Sequence, residues 1–195
     1  MSEPSGKANP WYADFRMYLL IFIVLTVFML KAVFSGSPTA SCGTPSVAAD
    51  FRVAGLDGKE VHLSDLKGKV VFLNFWATWC KPCIRELPSI QNLQKRYGAR
   101  DDFAIVAVSV DEGPTKELKD FLDGFNRRTA VEPLSFPVFH DPKGETAAAY
   151  HVSGFPTTFL IDRDGQIHRR FIGPRHWGDK HFLAMLDELL AAPTQ

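Results

Sequence analysis

Apolar and polar positions divide this chain into three regimes. Residues 17–34, MYLLIFIVLTVFMLKAVF, are apolar on every side, with Lys31 as the only charge. Residues 35–47 are rich in Ser, Gly, Pro, Thr and Ala and carry no core pattern, the composition of a flexible linker. From Ala48 onward, short β-type runs alternate with helical periods. Residues 50–53 and 59–63 alternate around Leu56-Asp57-Gly58-Lys59, a hairpin signal, and residues 64–69 read as a turn into a strand at 70–76. After Cys80, the residues Ile84, Leu87, Ile90, Leu93 and Tyr97 form one apolar stripe that stops at Gly98, with Pro88 inside it as an expected kink. Residues 103–110 form a second buried strand, and 114–128 an amphipathic helix with Leu118, Phe121, Leu122 and Phe125 on one face. A strand at 136–140, a helix at 145–150, strands at 157–162 and 166–172 around Arg163-Asp164-Gly165, and a helix at 179–191 complete the order. Helices between strands predict βαβ crossovers, and the closing hairpin predicts an antiparallel edge. The expected fold class is α/β, a mixed central sheet with helices on both faces.

One transition carries candidate chemistry. The apolar run 70–76 ends in Ala77-Thr78-Trp79-Cys80-Lys81-Pro82-Cys83, where a buried strand hands over to a helix N-terminus. Unpaired N–H groups and the positive end of the helix dipole favour a thiolate there. Cys83, one turn in, lies within disulfide reach of Cys80. Lys81 adds a cation beside the nucleophile, and Pro82 restricts the loop and favours helical entry. Half of a zinc site is the competing reading, but it needs two more ligands and Cys42 is the only other cysteine. Covalent haem attachment needs a histidine where Ile84 stands. The six histidines show no close metal spacing. Dithiol–disulfide exchange without a metal or other cofactor is the reading that fits.

Length and charge narrow the setting. A chain of 195 residues holds one ordinary domain plus an extension. With 22 basic and 22 acidic residues and no basic tract, nothing points to nucleic acid as a partner. Residues 17–34 fall at the lower edge of the roughly 17–25 that cross a bilayer. Trp11, Tyr12 and Phe15 at one end are suited to the interface, and Lys31 to snorkelling at the other. A core helix fits poorly, since the segment is apolar all round and a polar linker follows. A cleaved signal peptide lacks a good cleavage site, although Thr39-Ala40-Ser41-Cys42 loosely resembles a lipidation box. The expected organisation is an N-terminal cytoplasmic segment (1–16), a transmembrane signal anchor (17–34), a linker (35–47) and a redox domain (48–192). Lys7 and Arg16 give a slight positive-inside bias that Lys31 opposes. An anchored redox domain belongs outside the cytoplasm, where disulfides form, so the domain is expected to face the periplasm or cell exterior.

Several blocks then agree with one family. Residues 74–83 (NFWATWCKPC), Glu86, Pro88, the strand Phe136-Pro137-Val138-Phe139-His140-Asp141 and the distal GFPTTFLID of residues 154–162 resemble the membrane-anchored TlpA/ResA-type thiol–disulfide oxidoreductases. The resemblance implies a thioredoxin-like fold with an N-terminal β-hairpin and a central insertion. It implies Cys80 as nucleophile and Cys83 as resolving thiol of a redox-active disulfide, with Glu86 as a third catalytic residue that handles the Cys83 proton. It also implies a cis-proline at Pro156 facing the cysteines, so that Trp79, Lys81, Pro82, Phe155 and Pro156 form the substrate-binding surface. Asn74 departs from thioredoxin itself, which has a buried aspartate there, and Asn cannot titrate. Implied partners are cysteine-containing exported proteins such as apocytochrome c, and a transmembrane reductase of the DsbD/CcdA kind as electron donor. A thiol peroxidase is a second reading. Its Pro-x-x-x-Thr-x-x-Cys pattern fails here, with Leu73 and Ala77 at the Pro and Thr places. A third, non-catalytic thioredoxin-fold binding module is disfavoured by intact Cys80, Cys83 and Pro156.

Overall fold

The computed structural model of the protein describes residues 18, 19, 21–23, 25, 26, 46–128 and 132–192. Two compact units are present, Met1–Gly43 and Thr44–Gln195. In the first, the described residues Tyr18, Leu19, Ile21, Phe22, Ile23, Leu25 and Thr26 are helical and exposed. No helix among the described residues is long and apolar enough to cross a membrane. The expected segment 1–16, most of the expected anchor and linker, and Cys42 lie outside the described residues.

The second unit is built on an eight-stranded sheet. Its strands are β1 (Ser46–Val47), β2 (Arg52–Gly55), β3 (Glu60–His62), β4 (Val70–Trp76), β5 (Phe103–Ser109), β6 (Val138–His140), β7 (Thr157–Ile161) and β8 (Gln166–Ile172). Helices α1 (Lys81–Tyr97), α2 (Thr115–Arg128), α3 (Glu145–Ala149) and α4 (Lys180–Ala191) connect or close them, with a 3₁₀ turn at Leu63–Leu66. The spatial order is β1-β8-β7-β4-β5-β6-β2-β3. β4, β5 and β6 run parallel, whereas β7 is antiparallel to β4 and the β2–β3 hairpin is antiparallel to β6.

β4 is buried along its whole length, which is why its sequence is a nearly continuous apolar run rather than an alternation. Its residues still divide by face. Val70, Phe72 and Trp76 meet Leu87 and Ile90 of α1, Leu118 and Leu122 of α2, and Leu186 of α4. Val71, Leu73 and Phe75 point the other way, toward Phe51, Leu63, Ala147 and Tyr150. Three long helices thus cover one face, while the other carries the short α3, the 3₁₀ turn and the segment around Ala48 and Phe51. Burying each large side chain contributes about 1.5–3 kcal/mol, so β4 and its neighbours form a rigid platform.

Two expectations are amended. Ser46 and Val47, placed in the linker, pair with Gln166 and Ile167 and so begin the sheet. That added strand moves the closing β7–β8 hairpin off the edge, which is β1 instead. As expected, α1 runs from Lys81 to Tyr97 with Pro88 inside it and Gly98 as its C-cap. The helices predicted at 114–128, 145–150 and 179–191 are present, shorter by one residue at one end, with Asp179 serving as the N-cap of α4.

Candidate active site

The parallel pair β4–β5 ends on one side of the sheet, and both polypeptide exits there carry functional groups, the usual place for a site in such sheets. After Trp76 the chain makes a tight turn, with Cys80 N–H donating to the Ala77 carbonyl at 3.2 Å. Cys80 is the N-cap of α1, with Pro82 in the first turn. Its sulfur accepts from the Cys83 backbone N–H at 3.2 Å, and the two cysteines are joined as a disulfide. When that bond is reduced, the same N–H and the helix dipole are directed at the Cys80 sulfur and favour its thiolate. Cys83 is fully buried and Cys80 nearly so.

The element beside this turn is the stretch that leads into β7. Antiparallel pairing of Phe75 with Thr157 brings the preceding Phe155–Pro156 turn beside the residues that lead into Cys80. The Phe155–Pro156 peptide is cis, as expected. Trp79 is 65% exposed and packs edge-on against Phe155, with ring centroids 5.8 Å apart. The Pro156 carbonyl accepts from Gly173 N–H at 2.9 Å, and Gly173 has φ near +85°, a conformation that suits glycine. Lys81 is exposed and Pro82 half-buried. Of the residues expected at the site, Trp79, Phe155 and Pro156 meet over the turn, and Lys81 projects to solvent.

Glu86 proves to be a buried carboxyl, 3% exposed, one turn beyond Cys83 on α1. Asn74 Nδ2 donates to Glu86 Oε1 and to Thr158 Oγ1, each at 2.9 Å. Asn74 and Thr158 are direct cross-strand partners, so this pairing is a product of β4–β7 register. The Arg175 backbone N–H donates to Glu86 Oε2 at 3.2 Å, and the Trp177 indole N–H stands near the carboxyl without hydrogen-bond geometry. Burial outweighs these donors and pushes the Glu86 carboxyl up to about 7. A group with that value both takes and returns a proton near neutral pH.

A second polar cluster lies at the end of β5. Asp111 accepts Thr78 N–H at 2.9 Å and the hydroxyls of Thr78 and Ser109 at 2.6 and 2.5 Å. His140 Nε2 donates to the Asp111 carbonyl at 2.8 Å, and its Nδ1 meets the Thr115 hydroxyl at 3.0 Å. These bonds tie the turn carrying Cys80 to β5, β6 and α2. Thr78, Ser109, Asp111, His140, Thr158, Arg175 and Trp177 were not among the candidate residues read from the sequence. The one usable signal was topological, since Ser109-Val110-Asp111 ends a strand parallel to β4.

Comparisons with known proteins agree with this geometry. A profile of the AhpC/TSA family matches residues 45–170. The chain is 37% identical over 155 residues to the thiol-disulfide oxidoreductase ResA of Geobacillus thermodenitrificans, covering 80% of this chain and 83% of that one. It is 41% identical over 128 residues to the thioredoxin-like protein YneN of Bacillus subtilis, covering 65% and 69%. Among solved structures, StoA of Bacillus subtilis superposes with a TM-score of 0.57 at 30% identity, over 75% of this chain and 99% of that one. A thiol:disulfide interchange protein of Chlorobium tepidum superposes with a TM-score of 0.62 at 29% identity, over 76% and 99%. The chain belongs to the AhpC/TSA family, within its thioredoxin-like thiol–disulfide oxidoreductases. Its Cys80–Cys83 pair is the disulfide of that chemistry.

Proposed function

We propose that this protein is a membrane-tethered, extracytoplasmic protein-disulfide reductase. The observation that carries the reductase reading is the Cys80–Cys83 pair at the N-terminus of α1, set against the cis Phe155–Pro156 turn. In the reduced enzyme the Cys80 thiolate attacks one sulfur of a substrate disulfide, forming a mixed disulfide and releasing one substrate thiolate. Cys83 then loses its proton and attacks the Cys80 sulfur. The second substrate thiolate leaves, and the Cys80–Cys83 disulfide is formed, so two electrons have passed to the substrate. Glu86 accepts the Cys83 proton and returns it as the substrate thiolate departs. Trp79, Lys81, Pro82, Phe155 and Pro156 form the surface on which the substrate chain lies, and the exposed Trp79 and its partner Phe155 suit that role.

The uniform apolarity of residues 17–34, their flanking aromatics and the linker after them support the anchor, with the domain facing the periplasm or cell exterior. Substrates in this reading are exported proteins with paired cysteines, apocytochrome c among them, and a membrane reductase of the DsbD/CcdA kind resupplies electrons. The test is a Cys83→Ala variant of the full chain, which holds substrates as mixed disulfides on Cys80. Trapped cysteine-pair proteins that release on reduction are expected. An equilibrium potential near the reducing end, about −270 mV, supports a reductant, and one near about −120 mV overturns it. Survival of disulfide reduction in Cys80→Ser overturns the exchange mechanism itself.

A further inference from the structure

Although the whole chain is electrically balanced, residues 166–178 hold Arg169, Arg170, Arg175, His168 and His176 and no acidic residue. Three of these converge on a cavity of about 440 Å³ between β8 and α4, where His181 adds a fourth basic group. Phe171, Trp177 and Phe182, packed edge-to-face, make its buried aromatic floor. The Arg175 guanidinium lies 4.9 Å over the Phe171 ring. Among the described residues neither Arg169 nor Arg175 has an ion-pair partner. The one carboxylate in the lining, Asp179, is turned to the N-terminus of α4, where it accepts from His181 N–H at 2.9 Å. Two exposed guanidiniums without ion-pair partners, one of them over an aromatic ring, are chemically suited to receive a carboxylate.

Its position relates it to the redox site. The loop that carries Arg175 is bonded at Gly173 to the Pro156 carbonyl and at the Arg175 N–H to Glu86. The same loop therefore borders both the Phe155–Pro156 turn, through Gly173, and the cavity, through Arg175, His176 and Trp177. We propose that the cavity is a specificity subsite for acidic side chains flanking the substrate's cysteines, with Arg169 and Arg175 as the receiving groups. The proposal rests on the protein-disulfide reductase reading and deepens it. An acidic protein segment is favoured over other anions because the cavity shares its loop with the peptide-docking turn.

The experiment measures reduction of three disulfide-looped peptides by the reduced full chain, their cysteines flanked by Glu, Gln or Lys. The Glu peptide is expected to react about threefold to tenfold faster than the Gln peptide at low ionic strength. That advantage should collapse near 1 M salt, where the screening length is about 3 Å. Arg169→Glu should reverse the order of the Glu and Lys peptides and leave the Gln peptide within about twofold, since attraction and repulsion exchange sign. Arg175→Gln should lower the ratio of Glu-peptide to Gln-peptide rates, the readout being that ratio and not the rate itself. Equal rates for Glu and Gln peptides, or a Glu preference untouched by Arg169→Glu, overturn the subsite. Binding of anionic phosphatidylglycerol vesicles that Arg169→Glu abolishes, with unchanged peptide preference, assigns the patch to lipid and also overturns it. If the Gln peptide is not reduced at all, the reductase reading fails instead.

Discussion

Two buried carboxyl groups flank the disulfide, and they are held in opposite ways. Asp111 meets a backbone N–H and two hydroxyls, all directed at its oxygens. Glu86 is even less exposed but meets two N–H donors, each at or beyond 2.9 Å. Few donors leave the buried Glu86 carboxylate short of what it loses in water. The difference separates two jobs. Asp111 fastens the turn before Cys80 to the sheet, whereas burial pushes the Glu86 carboxyl up to about 7, a value suited to the proton exchange proposed for it.

The contrast is open to direct attack. The largest expected effect is on stability: Asp111→Ala leaves Thr78 N–H and two hydroxyls without their acceptor and should cost about 3–4 kcal/mol in urea unfolding. Asp111→Asn, which retains an acceptor oxygen, should recover more than half of that loss. A negligible change in Asp111→Ala would show that the turn holds itself.

Glu86 should give the next largest effect, with a definite sign in pH. Its carboxyl is raised from 4.5 in the unfolded chain to about 7 in the fold, so between those values the native state holds a proton that the unfolded state has released. Stability is favoured below 4.5 and falls as pH rises through about 7, by up to about 3 kcal/mol. Glu86→Gln should flatten that slope in unfolding measured from pH 4 to 8. The same variant should slow substrate reduction about 100-fold and remove a rate transition near neutrality, the scale of a lost general acid–base group. A rate profile unchanged in shape would assign the Cys83 proton to another carrier.

The smallest effect belongs to Asn74→Ala. Asn74 donates to Glu86 and so lowers its carboxyl, opposing burial. Without that donor the neutral-range transition in the rate profile should move to higher pH. Movement to lower pH would show that the side-chain amide does not favour the charged carboxyl.

Legibility in the sequence followed the range of the interactions concerned. β4, α1, β5 and α2 are readable from apolar periods within each segment, and their ends fall within about a residue of expectation. The hairpin β2–β3 was readable from Asp57-Gly58, where Gly58 adopts a positive φ. β1 was not, because Ser46 and Val47 are exposed and owe their strand form entirely to pairing with β8. At the site, Cys80 and Cys83 were visible from the strand-to-helix transition, and Pro156 and Glu86 through resemblance to a known family. Asp111, Arg175 and Thr158 were not, since a lone polar residue carries no mark of which buried group it will meet. Arg175 in particular contributes to Glu86 through its backbone, which any residue possesses.

By itself, then, the sequence determined that two cysteines one helical turn apart stand where an apolar strand becomes a helix. That outcome depends only on local geometry and on the polarity of the helix end. Tertiary structure decided what surrounds them. Pairing of β4 with β7 set Pro156 beside the turn and Thr158 against Asn74, and the loop after β8 closed over Glu86. Burial and long-range hydrogen bonds set the proton affinity of Glu86, and both depend on which strands become neighbours.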